Sequence, residues 1–169
     1  AMSHGVNRAI LKEGTEDSRL FFLDKLVKKI PEIKYDFYGF SNKEPIWGND
    51  FNNALINSKM GLNLSRGEPI KYYSSDRITQ IIGNGLVTLI DEKTCYNNFF
   101  SDKEMVFYKN LNDLSEKIIR ISRDEKLRKK IGRNGKIKYL KYFNSTNVAE
   151  FIINKTLELK NKKKYLWHN

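Results

Sequence analysis

The stretch Met60-Gly61-Leu62-Asn63-Leu64-Ser65-Arg66-Gly67, followed by Ser74-Ser75-Asp76-Arg77-Ile78-Thr79-Gln80-Ile81-Ile82-Gly83-Asn84-Gly85-Leu86-Val87-Thr88-Leu89-Ile90-Asp91, constrains the fold most. It reads as strand, polar loop, helix and strand, because Ile78, Ile81 and Ile82 fall at i, i+3, i+4 and an apolar run follows Gly85. Ser74 or Ser75 is the expected N-cap of the helix. Arg66 falls just beyond the first strand and Arg77 in the first turn of the helix, where open α/β sheets hold ligands. A cation in that turn faces the positive end of the macrodipole, at a cost of about a few tenths of a kcal/mol that Asp76 partly offsets. A bound anion would account for both arginines. Arg77, Gln80 and Asn84 share a second face at i, i+3, i+7, which is either a ligand-reading surface or a solvated polar stripe.

The same pattern continues on both sides. Thr15 to Ile30 reads as a helix, with Thr15 as N-cap, Leu20, Leu23 and Val27 on one face, and Pro31 as the stop. Ile33 to Tyr38 alternates as a strand. Phe51 to Ser58 is a shorter helix, Lys59 to Leu64 and Leu86 to Ile90 are strands, and a turn or short helix leads through Phe99 and Phe100 to a last strand at Glu104 to Tyr108. Leu111, Leu114, Ile118 and Ile121 mark an amphipathic helix, and Leu127 with Ile131 begin another, weakened near its middle by Gly132 and Gly135. Val148, Phe151 and Ile152 belong to a closing helix that runs into a lysine-rich tail. Strands alternating with helices at this spacing predict an α/β fold, a Rossmann-like and mainly parallel sheet flanked by helices. One domain over residues 1–159 and a basic tail over residues 160–169 suit a chain of 169 residues.

Hydrophobic residues make up 40% of the chain, enough for a packed core. The net charge of +11 invites a polyanion, an anionic membrane surface or a phosphorylated small molecule. Much of that excess lies in 126–141 and 160–164, where solubilising lysines are the plain alternative. No apolar run is long enough to span a bilayer and no signal-peptide pattern opens the chain, so a cytoplasmic location is expected. Ala1-Met2 reads as an appended leader before an internal start, which makes a fragment the expectation. Cys95 is alone and reads as a small buried hydrophobe, and His4 and His168 lie at opposite ends, so no metal site is expected. The Gly-x-Gly at Gly83 and Gly85 ends a helix instead of opening one, which disfavours a nicotinamide enzyme, and neither a Gly-Lys-Ser/Thr loop nor a Gly-x-Ser-x-Gly elbow is present.

Gly61 to Arg66, Arg77 to Gly85 and Leu86 to Asp91 together resemble the nucleotide-sugar-binding C-terminal domain of GT-B glycosyltransferases, in particular group 1-like members with an Arg-x-Phe-Glu-Ile-x-Ala-Cys-Gly helix. The similarity extends through Phe99-Phe100, Glu104 to Tyr108, and Asp124, Leu127, Arg128, Ile131 and Gly135, and so covers roughly residues 50–143. The resemblance implies one half of a GT-B fold, a nucleotide-diphosphate-sugar donor, no cofactor, no obligatory metal, and a separate N-terminal acceptor-binding domain. It places Arg77 at the motif arginine, Gly85 at the glycine ending the helix, and Gln80 where the family usually has a ribose-binding glutamate. Tyr72 falls where retaining members carry an earlier glutamate, so the stereochemical outcome is open. Arg8 and Lys12 resemble the basic residues of the domain's first loop. The implied diphosphate contacts are Arg8, Lys12, Ser65, Arg66, Gly67 and Arg77; the ribose and nucleotide contacts are Gln80 and Asn84; the catalytic residues stay unassigned.

The reading is a donor-binding domain of a glycosyltransferase in cell-envelope polysaccharide or lipopolysaccharide assembly, inactive by itself. The lysines at 160–164, with Tyr165, Leu166 and Trp167 beyond them, would suit a peripheral contact with the inner face of the membrane. Two rivals stand beside it. One is a catalytically silent sugar-binding domain, motivated by Gln80 and Tyr72. The other is a non-catalytic Rossmann-like module that binds nucleic acid or a protein partner through its basic helix, nucleic acid being the less favoured partner.

Overall fold

A computed structural model describes residues 17–39, 43–73, 75–159 and 163–168. In chain order these form α1 (Arg19–Lys29), α2 (Gly48–Asn57), β1 (Met60–Asn63), α3 (Arg77–Gly83), β2 (Val87–Asp91), β3 (Val106–Tyr108), α4 (Leu111–Arg123), α5 (Glu125–Tyr142) and α6 (Ser145–Thr156). The strands make a parallel sheet in the order β1-β2-β3, with Leu62 opposite Leu89 and Leu89 opposite Val106. Parallel strands need crossover helices, and these cover both faces, so β2 is buried in every residue but its last, Asp91. On one face Val87, Leu89, Val106 and Tyr108 pack against Leu26 of α1 and Leu114, Ile118 and Ile121 of α4. On the other, Ile90 and Phe107 pack against Ile78 and Ile82 of α3.

Glycine sets the closeness of these layers. A Cβ on Gly61 would lie 2.5 Å from Ile81 Cγ1, so α3 rests on β1 only because the strand has no side chain there. Gly132 and Gly135, expected to weaken their helix, lie inside the unbroken α5. The loss of helix propensity is outweighed because a Cβ on Gly132 would stand 2.1 Å from the Gly85 carbonyl oxygen, and one on Gly135 2.4 Å from that of Glu104. Thr88 lies at 0% exposure with no hydrogen-bond partner for Oγ1.

Two expectations need correction. Residues 33–38, expected as a strand, hold no place in the three-stranded sheet of the described residues, although Tyr38 itself takes a β-bridge. Tyr35 instead anchors this segment by donating to the Ile30 carbonyl at 3.2 Å. Ser75 does not cap α3 through its side chain: Asp76 holds the N-cap position in helical conformation, also without a side-chain cap bond. The Ser75 hydroxyl is drawn instead toward Arg77 and Asn63. Thr15, Ser74, His4 and Lys160 to Lys162 lie outside the described residues. In the tail, Trp167 packs on Phe143 and Phe151, and Tyr165 on Phe151, so both rings are engaged within the chain.

Candidate functional site

The carboxyl end of β1 gathers charge around one buried acid. Asp17, 7% exposed, receives both Nε and Nη2 of Arg19 at 2.6 to 2.9 Å and its backbone N–H at 3.1 Å. The acid therefore orders the first turn of α1, the place that its sequence offered to Thr15. Arg66, three residues beyond β1, brings Nε to 3.8 Å from Asp17 Oδ2. Burial works against the Asp17 carboxylate, but the hydrogen bonds from Arg19 and the charges of Arg19 and Arg66 outweigh it and hold its pKa below the usual range.

Arg77 joins the same cluster from α3. Its Nη2 donates to the Leu64 carbonyl at 2.9 Å and its Nε to Ser75 Oγ at 2.9 Å, and that hydroxyl donates on to Asn63 Oδ1 at 3.1 Å. Asn63 is 3% exposed at the end of β1, so the guanidinium braces the strand against the loop that leads to α3. Burial lowers the Arg77 pKa and the nearby Arg19 charge lowers it further, while Tyr73 and Asp17 act the other way. An arginine keeps its charge against a shift of this kind. Among the described residues, Arg19 and Arg66 thus approach one buried carboxylate and Arg77 lies near enough to feel its charge, which leaves three guanidinium groups to one acid at the crevice.

The loop between β1 and α3 forms the rim. Ser65 is half-buried, and Gly67 takes φ of +75°, a conformation that favours glycine. Tyr72, also at positive φ, donates its N–H to the Thr94 carbonyl at 2.8 Å and accepts from Asn98 Nδ2 at its hydroxyl, pinning the loop to the end of β2. Asp91, at that end, accepts from the Lys93 N–H at 2.8 Å, while burial pushes its carboxyl above the ordinary range.

The structure therefore brings together Ser65, Arg66, Gly67 and Arg77. Gln80 lies one turn further along α3, exposed and facing a cleft beside β1 that Arg77 also lines. Asn84 lies at the far end of α3, where its Nδ2 donates to the Gln80 carbonyl at 2.7 Å, about 10 Å along the axis from Arg77 at 1.5 Å per residue. Arg8 and Lys12 are outside the described residues. Sequence reasoning passed over Asp17, Arg19 and Asn63. The available signal was an acid and an arginine two positions apart at a helix start, and an amide closing an otherwise apolar strand. Among the described residues no group of acids, histidines or cysteine could hold a metal ion, and no helix is long and apolar enough to cross a membrane.

A parallel α/β sheet with a basic crevice beyond its carboxyl ends has many possible uses, and comparison narrows them. The profile of a family described as Glycosyl transferase-like matches residues 18–154, a span that holds every named helix and strand apart from the last two residues of α6. The chain belongs to this family. Comparison with curated proteins and with solved structures finds no match. Membership in a glycosyltransferase-like family implies transferase chemistry and, in general, a nucleotide-sugar donor. The matched span contains Arg19, Arg66, Arg77 and Gln80, and it ends before the basic tail.

Proposed function

We propose that this chain is the donor-binding half of a GT-B glycosyltransferase and that the diphosphate of a nucleotide sugar binds in the crevice at the end of β1. The observation that supports the reading is that, among the described residues, Arg19, Arg66 and Arg77 gather near the buried carboxylate of Asp17. The diphosphate contacts are Arg66 and Arg77, with Ser65 and Gly67 on the rim and Arg8 and Lys12 from the preceding loop. Gln80 offers an amide to the ribose, and Asn84 is dropped from the set because of its distance from Arg77. Cleavage of the sugar–phosphate bond builds negative charge on the leaving diphosphate, and fixed guanidinium groups stabilise that charge without reorganising.

A second, N-terminal domain would bring the acceptor and exclude water from the activated sugar. The acceptor belongs to cell-envelope polysaccharide or lipopolysaccharide assembly on the inner face of the membrane. A peripheral contact there would rest on the tail lysines, since Tyr165 and Trp167 are packed inside the chain. Titration calorimetry with uridine, guanosine, adenosine and cytidine diphosphates is the direct test. Saturable binding of at least one, weakened in Arg66→Ala, is expected. No binding of any of them, or binding that Arg66→Ala and Arg77→Ala leave unchanged, refutes the site.

A further inference from the structure

Helix α5 carries much of the chain's excess charge, and its place in the fold shows where that charge points. A Cβ on Gly132 would meet the Gly85 carbonyl just ahead of β2, and one on Gly135 the Glu104 carbonyl just ahead of β3. Leu127 and Ile131 join the core on the α4 side of the sheet, and Tyr139 joins that on the α3 side. The helix therefore crosses beneath the amino ends of the strands, at the pole opposite the crevice of Arg66 and Arg77. Chain leaving the carboxyl end of β3 returns through α4 to the same pole, where Arg120 and Arg123 close that helix. From residue 120 to residue 141 the sequence has ten basic residues and two acids, an excess that makes up most of the +11 net charge. Of the acids, Asp124 caps α5 and Glu125 pairs with Lys129 at 2.7 Å.

Packing through one face leaves the other in water, and helical periodicity decides what stands there. Lys126, Lys130, Arg133, Ile137, Leu140 and Lys141 fall at i, i+4, i+7, i+11, i+14 and i+15, within about 100° of the helix circumference. All six are exposed. They form a stripe about 22 Å long at 1.5 Å per residue. Its amino half is cationic, and its carboxyl half holds Ile137 at 55% and Leu140 at 49% exposure. Exposed lysines serve solubility, but two large aliphatic side chains in the same stripe do not. A nucleic acid backbone would pair with the cations and offer nothing to the aliphatic pair. Tyr139, an aromatic that could stack on a base, is stacked on Phe143 instead, with its hydroxyl 2.8 Å from Thr79 Oγ1. A bilayer with anionic headgroups meets both halves of the stripe, phosphates on the basic side chains and the acyl boundary on Ile137 and Leu140.

We propose that the exposed stripe of α5 is a docking surface for an anionic lipid bilayer, on which the protein lies with its crevice turned toward the aqueous side. This surface is separate from the tail, where Lys163 is held by Asn147 and Glu150. It is equally separate from the donor reading and stands without it, because stripe and crevice occupy opposite poles.

Co-sedimentation of the intact protein with vesicles of phosphatidylglycerol and phosphatidylcholine, against vesicles of phosphatidylcholine alone, tests the proposal. Binding to the anionic vesicles only, weakening as salt rises, is expected. Lys126→Glu combined with Lys130→Glu and Arg133→Glu should weaken it at least about hundredfold, at about fivefold or more per cation. Ile137→Ser with Leu140→Ser should weaken it by about tenfold. Tm and nucleoside diphosphate affinity should stay as in wild type in both variants, since none of these side chains is buried or near the crevice. Absence of a preference for anionic vesicles, or binding that the three reversals leave intact, overturns the proposal. So does an equal loss in Lys162→Glu with Lys164→Glu, which would move the contact to the tail, and so does a stripe-dependent affinity for duplex nucleic acid above that for the vesicles. Stripe-dependent vesicle binding by a protein that takes up no nucleotide upholds the stripe and counts against the crevice alone.

Discussion

Gly132→Ala and Gly83→Ala are the same chemical change in two helices, and the structure assigns them opposite signs. In the interior of α5 alanine favours the helix over glycine by about 0.5 to 1 kcal/mol. The new Cβ of Gly132→Ala, however, would stand 2.1 Å from the Gly85 carbonyl oxygen and 3.0 Å from its carbonyl carbon. Backbone atoms cannot rotate aside, so α5 has to retreat from the turn between α3 and β2, and Gly85 already holds φ of +78° there. Overpacking of this kind costs about 1 to 3 kcal/mol or more, so the net effect is a loss of about 1 to 2 kcal/mol. For a domain of this size that lowers Tm by about 2 to 8 °C. Gly83 in α3 has nothing within 4 Å of its would-be Cβ and no positive φ, so Gly83→Ala should hold or raise Tm. Thermal unfolding followed by far-UV circular dichroism decides the matter on both variants with wild type. A Gly132→Ala protein as stable as Gly83→Ala would refute the view that close backbone approach selects these glycines.

Asp17→Asn should cost about 3 kcal/mol in urea unfolding, because it leaves the Arg19 guanidinium, 12% exposed, without the Asp17 counter-charge. Since the folded carboxyl titrates below its ordinary value of 3.8, the wild-type advantage over Asp17→Asn should be complete above that pH and fade as pH falls through the folded value, a trend that urea midpoints at stepped pH would check. Thr88→Val removes a fully buried hydroxyl that has no partner and should stabilise by about 1 kcal/mol, a loss of stability in the same assay counting against it. Arg66→Ala should weaken nucleoside diphosphate binding with little change in Tm, its side chain being 59% exposed, whereas Arg77→Ala should do both, losing at least about tenfold in affinity by calorimetry.

Much of the sheet was legible because β2 and β3 are short apolar runs set between helix-period segments, and period alone separates those two states. The amphipathic α4, with Leu114, Ile118 and Ile121 on its buried face, was equally plain. Segment 33–38 shows that alternation reports which side chains are covered and says nothing of which neighbour completes the ladder: only Tyr38 takes a β-bridge. Gly132 and Gly135 misled for a related reason: propensity is local, and the carbonyls of Gly85 and Glu104 that demand glycine come from distant parts of the chain. In the candidate site Arg66 and Arg77 could be selected by their places after a strand and at a helix start. Asp17 was marked only by its place two residues before Arg19 at a helix start, since its importance comes from burial beside Arg19 and Arg66, which the tertiary fold creates.

The two kinds of arginine contact at the crevice suggest how it would respond to an anion. Arg19 is locked to Asp17 by short paired hydrogen bonds, and Arg77 to Leu64 and Ser75, so both are fixed in place before any ligand arrives. Arg66 differs: it approaches Asp17 at 3.8 Å, beyond hydrogen-bond length, from a side chain that is largely exposed. A diphosphate entering the crevice would compete with Asp17 for the exposed Arg66, while the fixed pair supplies a field that needs no rearrangement. Asp17 then has the dual effect of holding like charges together before an anion binds and of limiting how tightly any anion is held. Its replacement by asparagine should therefore tighten binding of a nucleoside diphosphate per folded molecule even as it lowers stability. Calorimetry at a temperature well below the Tm of the variant separates the two effects, and weaker binding by a fully folded Asp17→Asn protein would show that Asp17 orders the arginines more than it competes for them.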